Sequence, residues 1–391
     1  MFVVSADSHI DLHWLPRTLF VENASAALRD RMPHVVATPQ GDRWVTRSGV
    51  TFGLAAGVGA TGKPYVKGTS LRADRMAQAG IYADGARGVL RLSDPDQRIA
   101  DQDRDGVSAE VLYGMLGAAV WTRDVEATHE IARIYNDWIV GFCSRHPDRL
   151  LGLAFIPTHS PDAAAAEIRR VAARGGVRGL DIAGGDCELP LYHAAWDGFW
   201  KAVDDSGLPV HFHTLGPRLR DIGGFEALDV NRAKAEALAN CQYERASLVL
   251  RETVLGGIFE KFPGIRMVLS EAGVGWVPYI LERMDLGWED QYRDLLTLKR
   301  RPSEYWFDHC LVTYQAERFG SQVVQFVGED NMMWASDFPH PDGLWPDSQS
   351  FIASQYAHLS PAVKAKIVGG NAARLYGLSR PQKLAEALVT A

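Results

Sequence analysis

Carboxylates and imidazoles fall in this chain at one kind of place, the ends of short apolar runs. Asp7-Ser8-His9 follows the first run, and residues two apart in extended chain face the same side. His211-Phe212-His213 closes a later run with the same spacing. Glu271 stands in Leu-Ser-Glu-Ala-Gly and Asp337 in Trp-Ala-Ser-Asp-Phe-Pro-His, each after another run. Taken singly, a strand histidine is more often a hydrogen-bonded core residue than a ligand, and an aspartate before Phe-Pro is more often a turn former. Four separate run ends that agree are a stronger signal than any one of them. Nitrogen and oxygen donors of these types suit a hard or borderline divalent metal: Zn²⁺, Mn²⁺ or Fe²⁺.

Something must bring those ends together. Eight strand candidates are visible: Phe2 to Ser5, Val107 to Tyr113, Leu150 to Ile156, Gly179 to Ile182, Val210 to His213, Ile265 to Ser270, Cys310 to Thr313 and Met332 to Ser336. Helix signals lie between most of them. Ser160-Pro161-Asp162 offers an N-cap, an N1 proline and a first-turn acid, with Gly175-Gly176 as the stop. Ser360-Pro361 opens another helix, which Gly369-Gly370 is expected to close. This alternation predicts an α/β fold, a parallel (β/α)8 TIM barrel, ahead of a doubly wound open sheet. In a barrel the ends of strands 1, 5, 6 and 8 converge on the axis at one face. Residues 1–391 are expected to form a single domain. Residues 35–100, glycine-rich and with little helical periodicity before Leu71, read as an insertion between the first two barrel strands that lies over that face as a lid.

Composition narrows the function. Of 391 residues, 47% are hydrophobic and 23% charged, an ordinary globular profile. Forty-one Lys and Arg against 48 Asp and Glu leave a net charge of −7 with no basic tract, which argues against nucleic acid and anionic membrane as partners. The expected partner is a small-molecule substrate, and the expected assembly a homodimer. No leader segment and no membrane span are visible. Cys143, Cys187, Cys241 and Cys310 are scattered without C-x-x-C, as in a cytoplasmic protein with reduced thiols.

Two other motifs fail on context. Gly57-Val-Gly-Ala-Thr-Gly62-Lys63 mimics a phosphate loop, but Pro64 stands where Ser or Thr is needed, so it reads as a flexible glycine loop. Asp101-Gln-Asp103-Arg-Asp105-Gly106 mimics a calcium loop, but its twelfth position is Leu112, so it reads as a polar turn.

Several motifs together resemble a known family. Val4-Ser-Ala-Asp-Ser-His9, Gly207-Leu-Pro-Val-His-Phe-His213, Phe262-Pro-Gly-Ile-Arg266, Trp334-Ala-Ser-Asp-Phe-Pro-His340 and Gly370-Asn-Ala-Ala-Arg-Leu-Tyr376 are similar to the amidohydrolase-related proteins of the aminocarboxymuconate-semialdehyde decarboxylase type, within the amidohydrolase superfamily. The resemblance implies a (β/α)8 barrel with a metal held by Asp7, His9, His213 and Asp337. Relatives often begin with His-x-His or Glu-x-His; here Asp7 replaces the first ligand. They also often carry a histidine at the end of strand 6, where this chain has Glu271. With His13, His211, Glu271 and His340 the donors suffice for two metals, although one per chain is favoured. Arg218 and Arg220 could clamp a substrate carboxylate. Trp121, Trp276 and Trp345 could wall an apolar pocket or serve plain packing.

Four functions follow from this set. A metal-dependent hydrolase comes first, with Asp337 as ligand and proton shuttle and with Glu271 and His340 as further catalytic groups. A non-oxidative decarboxylase comes second. A dinuclear iron or iron–manganese oxygenase is third, and a binding protein without catalysis is last.

Overall fold

The segment Leu150–Ile156 is buried along its whole length, as a parallel strand covered on both faces must be. Its neighbours in the sheet are buried in the same way, polar residues included, and eight such strands build the fold. The computed structural model describes residues 1–47, 51–59, 62–68, 70–115, 124–182, 189–213 and 243–379. The strands are β1 (Val4–Ile10), β5 (Ala109–Gly114), β6 (Leu150–Ile156), β7 (Gly179–Ile182), β8 (Val210–His213), β9 (Met267–Ser270), β10 (Cys310–Tyr314) and β11 (Met332–Trp334). They form one sheet in chain order, and helices separate most of them. The fold is a (β/α)8 barrel, as the strand–helix alternation predicts. Three short strands, β2 (His34–Val36), β3 (Arg43–Val45) and β4 (Thr51–Leu54), make a separate antiparallel sheet.

The chain packs as two compact units. The first comprises Met1–Phe155, Gly176–Arg178 and the chain from Met333 on. Here β1 pairs in parallel with β5, His9 opposite Tyr113, and β5 with β6, Glu110 opposite Leu150. The helix Val125–Cys143 is capped by Asp124, whose Oδ1 accepts from the Ala127 N–H at 3.1 Å. The second unit comprises Ile156–Gly175 and Gly179–Met332. It holds β7 to β10, with His211 opposite Val268 and His213 opposite Ser270. Its first helix, Pro161–Arg174, begins and ends where the Ser-Pro-Asp and Gly-Gly signals predict.

Three local expectations need correction. The first strand continues to Ile10, because Ser5, Asp7, Ser8 and His9 are buried although polar; an apolar run is too narrow a criterion for a strand that carries a site. Asp101 to Asp105 is the end of a helix, Pro95–Asp105, and not a polar turn. That helix buries Arg98, Asp101, Gln102 and Asp105, spaced i, i+3, i+4, i+7, so its inward stripe is polar and hides from an apolar-periodicity search. Gly369-Gly370 does not close the last helical stretch. A π-helical turn, Lys366–Gly370, carries it through to Asn371–Tyr376. Gly369 is needed for close approach, since a Cβ there would stand 2.3 Å from the Phe2 carbonyl oxygen.

Residues 35–100 are more ordered than a glycine loop suggests. Trp14, Ala56, Met76, Ile81, Leu92, Phe338 and Trp345 form one buried apolar cluster. It joins the insertion to the loops that follow β1 and β11. Val58 and Lys63 exchange main-chain hydrogen bonds (2.7 and 3.1 Å) across the glycine turn. Gly57 is obligatory there, because a Cβ would lie 2.6 Å from the Gly62 main chain.

Candidate metal centre

In the first unit, β1, the residue after it and the loop after β11 bring five acidic and imidazole side chains together. His9 Nε2 lies 3.3 Å from Asp7 Oδ1 and 3.0 Å from Asp337 Oδ1. His340 Nδ1 lies 3.1 Å from the same Asp337 oxygen, and its Nε2 meets Asp11 Oδ2 at 2.9 Å. The two imidazoles stack, with centroids 4.0 Å apart. The ligand atoms of His9, Asp337 and His340 fall within 4.8 Å of one another, and all three residues are buried. The main chain is pinned as tightly. Asp337 N–H donates to the Asp7 carbonyl (3.0 Å) and His9 N–H to the Phe338 carbonyl (2.7 Å). Ser5 Oγ donates to the Asp7 carbonyl (2.8 Å) and accepts from Ser336 N–H (2.9 Å).

Charges buried this deeply set one another's ionisation. Burial alone would push the His340 imidazole down, but Asp337 and Asp11 on either side hold its pKa well above the usual histidine value. Burial and the neighbouring His340 also press His9 down, and the bonds to Asp337 and Asp7 outweigh them. Burial would raise the Asp337 carboxyl, but His340 and His9 hold it below the ordinary range. Asp11 follows the same balance and ends far below that range.

The donor set fits a divalent cation. Asp337 Oδ2 is buried and accepts no hydrogen bond among the described residues, an arrangement that is costly unless a cation faces it. Asp11 was not singled out in the sequence. Its Oδ2 holds the His340 ring at 2.9 Å, and its Oδ1 lies 3.9 Å from His9 Nδ1, on the ring edge away from Asp7 and Asp337. The signal was available: Asp7, His9 and Asp11 alternate along one face.

In the second unit, His213 and Glu271 are neighbours, Nε2 to Oε2 at 3.5 Å, at the ends of β8 and β9. Glu271 N–H donates to Thr313 Oγ1 at 2.8 Å. His211 is fully buried one step back on β8, opposite Asp181 and Val268. His13, in the first unit, sits in the turn Leu12–Trp14 with its ring against Gly62, where a Cβ would be 2.6 Å from Cε1. Trp276 is partly buried, and its indole N–H donates to the carbonyls of Ala272 (2.8 Å) and Gly273 (3.0 Å). Trp345 is core packing, with its N–H on the Asp101 carbonyl (3.1 Å). Arg218, Arg220 and Trp121 lie outside the described residues. Cys143 and Cys310 are free, buried thiols.

Similarity to known proteins follows the same lines. A family profile described as Amidohydrolase matches residues 83–378, and the chain belongs to that family of enzymes. The gamma-resorcylate decarboxylase of Rhodococcus jostii is 28% identical over 77% of this chain and 92% of its own length. The 2-amino-3-carboxymuconate-6-semialdehyde decarboxylase of Dictyostelium discoideum is 24% identical, covering 73% of this chain and 77% of its own. The solved structure of 5-carboxyvanillate decarboxylase from Novosphingobium aromaticivorans, complexed with manganese and 4-hydroxy-3-methoxy-5-nitrobenzoic acid, has 20% identity and a TM-score of 0.64, covering 96% of each chain. Among the described residues, no helix is long and apolar enough to cross a membrane.

Proposed function

We propose that this chain is a metal-dependent, non-oxidative decarboxylase of a small aromatic acid. This reverses the order read from the sequence, where hydrolysis stood first. The reversal is supported by the names of the curated relatives given above, both decarboxylases. The observation that carries the reading is the buried Asp7–His9–Asp337 cluster with a proton-holding histidine, His340, on its flank.

Asp7, His9, His213 and Asp337 are the proposed ligands. They would hold a divalent ion, with manganese the first to try, and that ion would supply Lewis-acid polarisation of the substrate acid. The protein's own residues do the rest. Asp11 holds the His340 ring through Nε2 at 2.9 Å. His340, between two carboxylates, stores a proton that can pass to Asp337 across 3.1 Å. Asp337 delivers it to the ring carbon bearing the carboxylate, after which the carbon–carbon bond breaks and CO₂ leaves. Glu271 orients the substrate's ring hydroxyl. The insertion excludes water and shapes the pocket, and Trp276, Arg218 and Arg220 are candidate substrate contacts.

The test is CO₂ release from a panel of hydroxybenzoates, with the protein stripped by chelator and then reloaded with Mn²⁺. Release should stop on stripping and return on reloading, without O₂ uptake. Cleavage of esters or amides with no CO₂ from any acid would restore the hydrolase reading.

A further inference from the structure

We propose that Arg98 is a positioning residue of the metal centre, holding in register the two main-chain segments that carry His9 and Asp337. The inference rests on the metal reading above. Arg98 is fully buried on the helix Pro95–Asp105. Its guanidinium forms a fork on Glu110 of β5, Nε to Oε1 at 2.5 Å and Nη2 to Oε2 at 3.1 Å. Gln102 adds a second donor to that carboxylate at 2.8 Å.

The fork leaves donors over, and they go to main-chain carbonyls. Nη1 donates to the His9 carbonyl at 2.7 Å and to the Leu92 carbonyl at 3.3 Å. Nη2 also reaches the Phe338 carbonyl at 3.5 Å, and the guanidinium lies 5.2 Å from the centre of the Phe338 ring. The Phe338 carbonyl already accepts from His9 N–H. One rigid cation therefore ties β1 at a proposed ligand, the peptide next to Asp337, and the insertion at Leu92. A planar fork can hold several acceptors at fixed angles, which a lysine ammonium cannot. Burying such a cation is costly, and an apolar pair would serve packing as well or better. Alignment of the ligand-bearing backbone is the benefit that the apolar pair lacks.

The experiment replaces both charges, Arg98→Leu with Glu110→Leu, so that no lone charge stays buried. Mn²⁺ affinity of the stripped protein is titrated, kcat and KM are measured apart, and thermal unfolding without metal checks the fold. The expected result is a folded variant with Mn²⁺ bound about ten-fold or more weakly and kcat lowered more than KM is raised. Arg98→Lys, which keeps the charge but not the fork, should show a smaller shift in the same direction. If the double variant does not fold, the lysine variant decides in its place. Mn²⁺ affinity and kcat within two-fold of wild type in the folded variant would overturn the positioning role. A wild type that binds no Mn²⁺ would instead overturn the metal reading itself.

Discussion

Among the described residues, two turns hold a carboxylate in the left-handed backbone region, and their surroundings differ. Asp337 (φ +55°) follows β11, and Glu271 (φ +49°) follows β9. A side chain other than glycine stays there only where its surroundings over-determine it. Asp337 N–H is tied to the Asp7 carbonyl, and Glu271 N–H to the Thr313 hydroxyl. The carboxyl groups then differ. Asp337 is fully buried and faces two imidazoles at 3.0 and 3.1 Å, while Glu271, also buried, meets His213 at 3.5 Å. The first has its proton affinity set by fixed neighbours, as a ligand and proton carrier needs. Carboxylates on similar turns but with different neighbours are a way to separate binding of the metal from recognition of the substrate.

The largest effect should come from the rigid turn. Asp337→Asn keeps size and one oxygen but cannot carry a proton, so kcat should fall about 10²–10⁴-fold, with metal-loaded thermal unfolding near that of wild type. Activity within a few-fold would move the proton to His340 or Glu271 and erase the contrast. Next comes His213→Ala, where equilibrium dialysis should show the metal bound at least about ten-fold more weakly. Full retention would remove His213 from the ligands. Glu271→Gln should be milder, with kcat down about ten-fold and a KM that varies with the ring hydroxyls of the acid tested. A KM change equal for all acids would deny Glu271 a part in recognition.

The smallest effect lies away from both turns. Burial lifts the Asp105 carboxyl to about 6, against hydrogen bonds from Ser348 that lower it. Its pKa is thus higher folded than unfolded. The stability it contributes is full below pH ~4 and lost as pH rises through ~6, by about 3 kcal/mol. Asp105→Asn, which cannot titrate, should flatten that part of the unfolding-versus-pH curve. An unchanged slope between pH 4 and 7 would refute the assignment.

Much of the contrast was legible before the fold was known. Asp7, His9, His213, Glu271 and Asp337 announce themselves because imidazoles and carboxylates rarely close apolar runs without a partner. Asp11 escaped notice because β1 was taken to stop at Ser5, although the alternation from Asp7 to His9 runs on to it. Arg98 gave less signal. It lies on a helix whose buried stripe is charged, and only the Glu110 partner on another element explains that. The small sheet β2–β4 was missed for a different reason: strands of three or four residues are too short to show a period. The close approach that requires Gly369 is a tertiary fact, invisible in a sequence where Gly-Gly ordinarily ends a helix.

The central claim is that one metal, held at the rigid turn, serves this site while Glu271 remains free of it. Elemental analysis of the purified wild type and of Glu271→Gln tests it most directly. The account predicts close to one divalent ion per chain in both. Two ions per chain in the wild type, falling to one in the variant, would contradict it, making Glu271 a ligand and bringing the dinuclear oxygenase forward.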